Sequence, residues 1–164
     1  MNKVTNIVLA GLGGQGVLKG TDILADVVLR AGFDVKKSEI KGMSQRGGSV
    51  TGDVRFGEHV FSPMVPAGEA DFLLVLEATQ TAPNNHLLRP GGVLITPEAV
   101  SLDALPHKRT LNVALLGALS ACLSIPEELW LASLRAAFDD AFFDANKKAF
   151  LIGRNGKRQT NPPQ

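Results

Sequence analysis

The chain has 164 residues, enough for one domain with a core of ordinary size; 45% of them are apolar, 20% are charged, and the formal net charge is +1. That balance excludes a surface driven by counterion release from nucleic acid, and 5% aromatic residues with no tyrosine leave little on which bases could stack. The single cysteine, Cys122, excludes an internal disulfide and any cysteine-ligated iron-sulfur cluster or zinc finger within this chain.

Asn6 to Ala10 is a short apolar run that reads as a buried strand. It runs straight into a glycine turn with no charged leader before it, and no apolar stretch reaches membrane-spanning length, so a soluble cytoplasmic protein is expected, with no membrane partner. Gly11, Gly13 and Gly16 stand at the spacing G-x-G-x-x-G, and Gly14 adds a fourth position where backbone can approach a ligand. Such a turn aims the first amides of the following helix outward, where Gly11, Gly13, Gly14, Gln15 and Gly16 would cradle an anion such as phosphate. A tight turn with nothing bound is the competing reading.

Thr21 to Ala31 places Ile23, Leu24, Val27, Val28 and Ala31 at helical spacing, and Gly32 ends the helix. Phe33 to Ile40 follows as a second strand, completing a right-handed βαβ unit. Glu39 is the one candidate for the ribose-binding carboxylate that a dinucleotide version needs, against a solvated strand end.

Lys41 to Val50 is the second stretch of unusual composition. Gly42, Gly47 and Gly48 bracket Ser44, Gln45 and Arg46, three side chains that donate to oxyanions, Arg46 in a bidentate way. A plain hairpin connection is the alternative. Ser49 to Phe56 alternates with Val50, Gly52, Val54 and Phe56 on one face, and His59 to Phe61 is expected to return as a short strand, giving an inserted antiparallel hairpin.

Pro63, Pro66 and Gly68 mark a loop. Asp71 to Leu76 then reads as a central strand buried on both faces, ending at Glu77, where ligands collect in open α/β sheets. Glu77 is either a ligand contact or the cap of the next helix, expected over Thr79 to Leu88 and stopped by Arg89-Pro90-Gly91-Gly92. Val93 to Thr96 is a further short strand. A Gly52-Asp53 pair ahead of Asn84-Asn85 has the outline of a thiamine motif, but Val54 replaces the required glycine and Asp53 lies in an alternating strand, so the motif is rejected.

Beyond the basic cluster His107-Lys108-Arg109, Leu111 to Leu123 is apolar on nearly every side and reads as a buried helix, with Asn112 as its cap or as a contact to the ligand loop. Cys122 is expected in the core. Pro126 begins another helix with Trp130, Leu134, Ala137 and Phe138 as its apolar stripe, and Asp144 to Ile152 reads as a last short one. The domain is thus expected over residues 1–152, with 153–164 a disordered tail. His59, His86 and His107 share no metal-ligand spacing. The fold class expected is α/β, Rossmann-like: a mostly parallel open sheet flanked by helices, with an inserted β-hairpin.

Gly-Leu-Gly-Gly-Gln-Gly at 11–16 and Lys-Gly-Met-Ser-Gln-Arg-Gly-Gly-Ser-Val at 41–50 together resemble the gamma domain of the 2-oxoacid:ferredoxin oxidoreductases, and most of all the indolepyruvate oxidoreductase beta subunit. The resemblance continues through Val54 to Gly57, Asp71 to Glu77, Leu88 to Ile95 and Asn112. It implies a subunit of a complex that oxidatively decarboxylates a 2-oxoacid, passes electrons to ferredoxin and in most members transfers the acyl group to coenzyme A. Thiamine diphosphate and iron-sulfur clusters would then sit on a partner subunit, and this chain would be inactive without it. On this resemblance Gly11, Gly13, Gly14, Gln15, Gly16, Ser44, Gln45, Arg46, Gly47, Gly48, Glu77 and Asn112 form the ligand-binding set, with coenzyme A as first candidate, no catalytic residue and no metal ligand. Pairing with a second copy of the chain is compatible with the sequence. The other class of function, a free-standing nucleotide-binding module or small NAD-dependent reductase, is supported only by Gly11, Gly13 and Gly16.

Overall fold

β1 (Thr5–Leu12) is the middle strand of five, which is why its sequence is apolar on both sides. In the computed structural model, which describes residues 3–41 and 47–156, the strand order is β2 (Asp34–Lys41), β3 (Ser49–Gly57), β1, β4 (Ala70–Val75), β5 (Leu88–Ile95). β1 pairs in parallel with β4, and β4 with β5; β3 lies antiparallel to both β1 and β2. Four strands therefore point one way and β3 opposes them, an open mixed sheet of the expected α/β class.

α1 (Val17–Arg30) buries Val17, Ile23, Leu24, Val27 and Val28 against this sheet. Its end is a Schellman-type turn: Gly32 N–H donates to Leu29 O and Phe33 N–H to Val28 O, with Gly32 in the left-handed region. α3 (Leu111–Ser120) is buried on nearly all sides, packed on α1, β5 and α5 (Asp140–Arg154). α4 (Glu127–Ala137) covers α1, and its Trp130 stacks on Phe150 of α5 with ring centroids 5.7 Å apart, an arrangement worth about 0.5–1.5 kcal/mol beyond area burial.

The two faces of the sheet are dressed differently. Ile7, Leu9, Val54, Phe56 and Leu74 point into the helices, whereas Val8, Ala10, Leu73 and Val75 form a second cluster closed by Val65, from the loop after β3. That loop is pinned by side chains: Val60 N–H donates to Asp34 Oδ2, Val65 N–H to Asp53 Oδ2, and Arg55 Nη1 to the carbonyls of Ser62 and Met64.

Several expectations are corrected. β3 inserts between β1 and β2, so the first two strands are parallel without being neighbours. No return strand forms at His59–Phe61; the antiparallel partners of β3 are β1 and β2, and Val60 spends its amide on Asp34 instead. Residues 78–87 are not one helix but a 3-10 turn, the single turn α2 (Thr81–Asn84) containing Pro83, and a second 3-10 turn. Arg89-Pro90-Gly91-Gly92 continues as strand rather than stopping a helix, since β5 is an edge where proline is tolerated. Cys122 is exposed beyond the end of α3 rather than buried. α5 starts four residues before Asp144 and runs through Gly153 to Arg154; residues 157–164 of the expected tail lie outside the described residues. Among the described residues no helix is long and apolar enough to cross a membrane.

Candidate functional site

The chain leaves β1 through a turn that Gln15 N–H closes on Leu12 O at 3.1 Å. Gly16 sits at φ 86°, in the left-handed region that disfavours any residue with a Cβ, and is the N-cap of α1. The cap residue has no side chain to offer, and the first turn of α1 contains no acidic residue. The leading amides and the positive end of the helix dipole are thus left without a side-chain acceptor. They open beyond the carboxyl ends of β1 and β4, where ligands of open α/β sheets bind.

The two glycine-rich bends meet. Gly13 N–H donates to Gly48 O at 2.9 Å, and Ser49 Oγ donates to Gln80 Oε1 at 2.7 Å, tying the end of the second bend to the rim after β4. Gly47 lies against Gly13. Gly42, Ser44, Gln45 and Arg46 fall outside the described residues.

Gln15 reaches back into the same corner. Its Oε1 accepts from Leu12 N–H at 2.7 Å, and Nε2 donates to Glu77 Oε2 at 3.1 Å, so Glu77 is held at the turn by an amide whose orientation the Leu12 bond dictates. Glu77 is also N-terminal to the 3-10 turn at 78–80, but its side chain makes no capping bond there. Asn112, in the first turn of α3, donates from Nδ2 to Gly16 O at 3.2 Å across 96 residues of sequence. Gly11 backs the turn from beneath: a Cβ there would press on Val17 and Leu76. Of the sequence candidates that are described, Gly11, Gly13, Gly14, Gln15, Gly16, Gly47, Gly48, Glu77 and Asn112 thus all belong to one neighbourhood.

Above it is a cleft of about 370 Å³ lined by Gly14, Gln15, Gly16 and Asn112, with Leu76 and Leu111 as apolar wall and Lys19, Lys108 and Arg109 around it. Gly14 is open, with nothing within 4 Å of where a Cβ would stand. Lys19 is committed to the fold, donating to Ala137 O at 2.6 Å and lying over the Phe138 ring. Lys108 and Arg109 were not among the sequence candidates. Their signal was a basic pair one turn ahead of Asn112, legible only once Asn112 is known to touch Gly16.

Glu39 and Asp53 are engaged elsewhere. Glu39 accepts from Lys37 Nζ at 3.2 Å and from Thr21 Oγ1 at 3.5 Å, on β2, which β3 separates from β1, so its carboxylate is tied to β2 and to α1 beyond its first turn. Asp53 accepts from Val65 N–H and Asn84 donates to Gln80 O, each serving its own element. Burial of Asp53 holds its carboxyl above the usual carboxylate range, against the opposing pull of Val65 N–H and Arg55. His59, His86 and His107 are exposed, and no group of three metal-ligating side chains occurs among the described residues.

Residues 6–156 match the family model described as pyruvate ferredoxin/flavodoxin oxidoreductase. The chain is 33% identical over 191 aligned positions to indolepyruvate oxidoreductase subunit IorB of Thermococcus kodakarensis, covering 92% of this chain and 95% of that one. Its fold superposes with a TM-score of 0.77 and 22% identity on the keto/oxoacid ferredoxin oxidoreductase gamma subunit from Geobacter sulfurreducens, over 91% of this chain and 95% of that one. It also superposes on 2-oxoglutarate:ferredoxin oxidoreductase from Magnetococcus marinus, solved with 2-oxoglutarate, coenzyme A and succinyl-CoA, with a TM-score of 0.81 and 20% identity over 94% of this chain and 31% of that one.

Proposed function

From the premise that this chain belongs to the pyruvate ferredoxin/flavodoxin oxidoreductase family and is a subunit of a 2-oxoacid:ferredoxin oxidoreductase, we propose that it completes a partner's active site by holding a phosphate-bearing acyl acceptor, coenzyme A. The observation that carries this reading is the bond from Gly13 N–H to Gly48 O, which brings both glycine bends to the uncapped start of α1 and beneath an open cleft. Backbone amides at a helix start suit a phosphate, and an apolar wall beside them suits the uncharged remainder of a long ligand.

The division of labour follows from what the chain can ligate. One cysteine does not hold an iron-sulfur cluster, and no group of three side chains able to ligate the metal of thiamine diphosphate occurs among the described residues. Thiamine diphosphate and clusters belong to the partner subunit, which passes electrons on to ferredoxin. Coenzyme A supplies the thiol that takes up the acyl group. This chain's residues bind and orient it: the α1 amides hold phosphate, Gln15 fixes Glu77 beside the turn, and Asn112 locks Gly16 in place. Relatives named for indolepyruvate make indolepyruvate the first 2-oxoacid to assay, in a cytoplasmic complex.

The test is Gly13→Asp. The site of its Cβ is 3.4 Å from Gly47 N, so the side chain is tolerated with small adjustment, yet it adds a negative charge where the two bends meet, next to the start of α1. In the assembled complex the KM for coenzyme A should rise about tenfold or more with kcat little changed, since one like-charge contact in a partly dry site costs upwards of about 1.4 kcal/mol. An unchanged KM in an intact complex removes the turn from the ligand site.

A further inference from the structure

Arg109 is the one arginine among the described residues whose side chain has neither an ion pair nor a hydrogen bond there. Arg30 is held by Asp26, Arg55 by Asn6 and two carbonyls, Arg89 by Asp71, Arg135 by Asp140, and Arg154 by Glu127 and Ser120. The Lys108 ammonium beside it is likewise unpaired among those residues, and both line the cleft. Their backbone is nonetheless fixed: His107 Nδ1 accepts from Arg109 N–H at 3.1 Å, and His107 O accepts from Thr110 N–H at 2.9 Å and from Thr110 Oγ1 at 2.6 Å. A rigid turn carrying two uncommitted cations at a cleft is preorganised for an anion. Asn112 also lines the cleft and is 8% exposed; Nδ2 goes to Gly16 O, and Oδ1 has no hydrogen-bond partner among the described residues.

Resting on the reading of the cleft given above, we propose that its ligand carries two separate anionic groups and that Lys108 and Arg109 clamp the one remote from α1, a phosphomonoester on a ribose. A diphosphate is served by helix-start amides without any cationic side chain. A phosphomonoester carries about −1.5 to −2 charges near neutral pH, which one guanidinium and one ammonium match, the guanidinium in a bidentate way. Asn112 Oδ1 then accepts a ligand N–H or O–H between the two ends. The chemistry selects a nucleotide phosphorylated at two positions, and coenzyme A differs from dephospho-coenzyme A by that ribose phosphate.

The experiment titrates the assembled complex with coenzyme A and with dephospho-coenzyme A, comparing the wild type with a variant carrying Lys108→Gln and Arg109→Gln; glutamine retains much of each stem on a surface turn. The expected result is a loss of about tenfold or more in affinity for coenzyme A, since both charge-assisted contacts to the phosphate are removed. Affinity for dephospho-coenzyme A should stay the same. Equal weakening of both ligands, or no weakening of either, overturns the clamp while leaving the cleft as the acceptor site. Dissociation of the complex by the variant, with ligand affinity unchanged, also overturns it and makes the pair a subunit contact. If the wild-type complex binds neither compound, the acceptor-site reading itself is overturned and the clamp with it.

Discussion

Gly153 of α5 lies so close to the carbonyl oxygen of Ala114 in α3 that a methyl group on it would overlap that oxygen. The reciprocal position, Gly117 of α3, is crowded in the same way by Phe150 O. The two helices touch backbone to backbone, and because Asn112 is in the first turn of α3 this contact fixes where the floor of the cleft stands.

Gly153→Ala therefore inverts an ordinary rule. In a free helix interior the exchange gains about 1 kcal/mol. Here it forces α5 off α3 and is expected to cost about 1–3 kcal/mol, the usual range for overpacking. Urea unfolding of the full chain measures it; a gain in stability would mean that the helices separate without penalty.

Gln15→Leu tests the corner that joins turn and rim. Leucine is of similar size but neither accepts from Leu12 N–H nor donates to Glu77, so a half-buried amide and a carboxylate each lose their partner. A loss of about 1–3 kcal/mol is expected, together with a raised KM for coenzyme A as the turn loosens. Loss of stability with an unaltered KM would confine Gln15 to a structural role.

Asp53 gives a pH dependence whose sign is set by burial. Its pKa is raised in the folded chain, so the folded state holds the proton more tightly than the unfolded one. The stabilisation that this supplies is fully present below the ordinary carboxylate range and is lost as pH rises through the folded value. Asp53→Asn keeps an acceptor for Val65 N–H and removes the buried charge. It should unfold at higher temperature than the wild type at neutral pH, with the gap closing as pH falls below the ordinary carboxylate range. A gap that is constant with pH would assign the effect to something other than ionisation.

Local chemistry explains which parts of this molecule are legible in the sequence. The glycine turn, α1 with its Gly32 stop, and β4 between two apolar faces each follow from residues adjacent in the chain. So does the burial of Trp130 and Leu134. What was not legible depends on partners far away in sequence: β3 entering between β1 and β2, and Pro90 surviving in a strand because that strand is an edge. The site divides in the same way. Gly13, Gln15 and Gly16 announce themselves in the glycine turn, whereas Lys108 and Arg109 reach the cleft wall only because Asn112 docks on Gly16.

Subunit dependence supplies the last prediction. Because one cysteine does not ligate a cluster, and the family's members are parts of larger oxidoreductases, the purified chain should contain no iron and turn over no 2-oxoacid. Added to a thiamine-bearing, cluster-bearing partner, it should restore reduction of ferredoxin that depends on both 2-oxoacid and coenzyme A. Gly13→Asp chain added in its place should restore assembly but demand about tenfold more coenzyme A for the same rate, because the mixing isolates ligand capture from electron transfer. Copurification with the partner and a ferredoxin reduction assay at varied coenzyme A check both halves. Saturable NADH binding by the isolated chain, with no partner recovered, would instead favour a free-standing nucleotide-binding module.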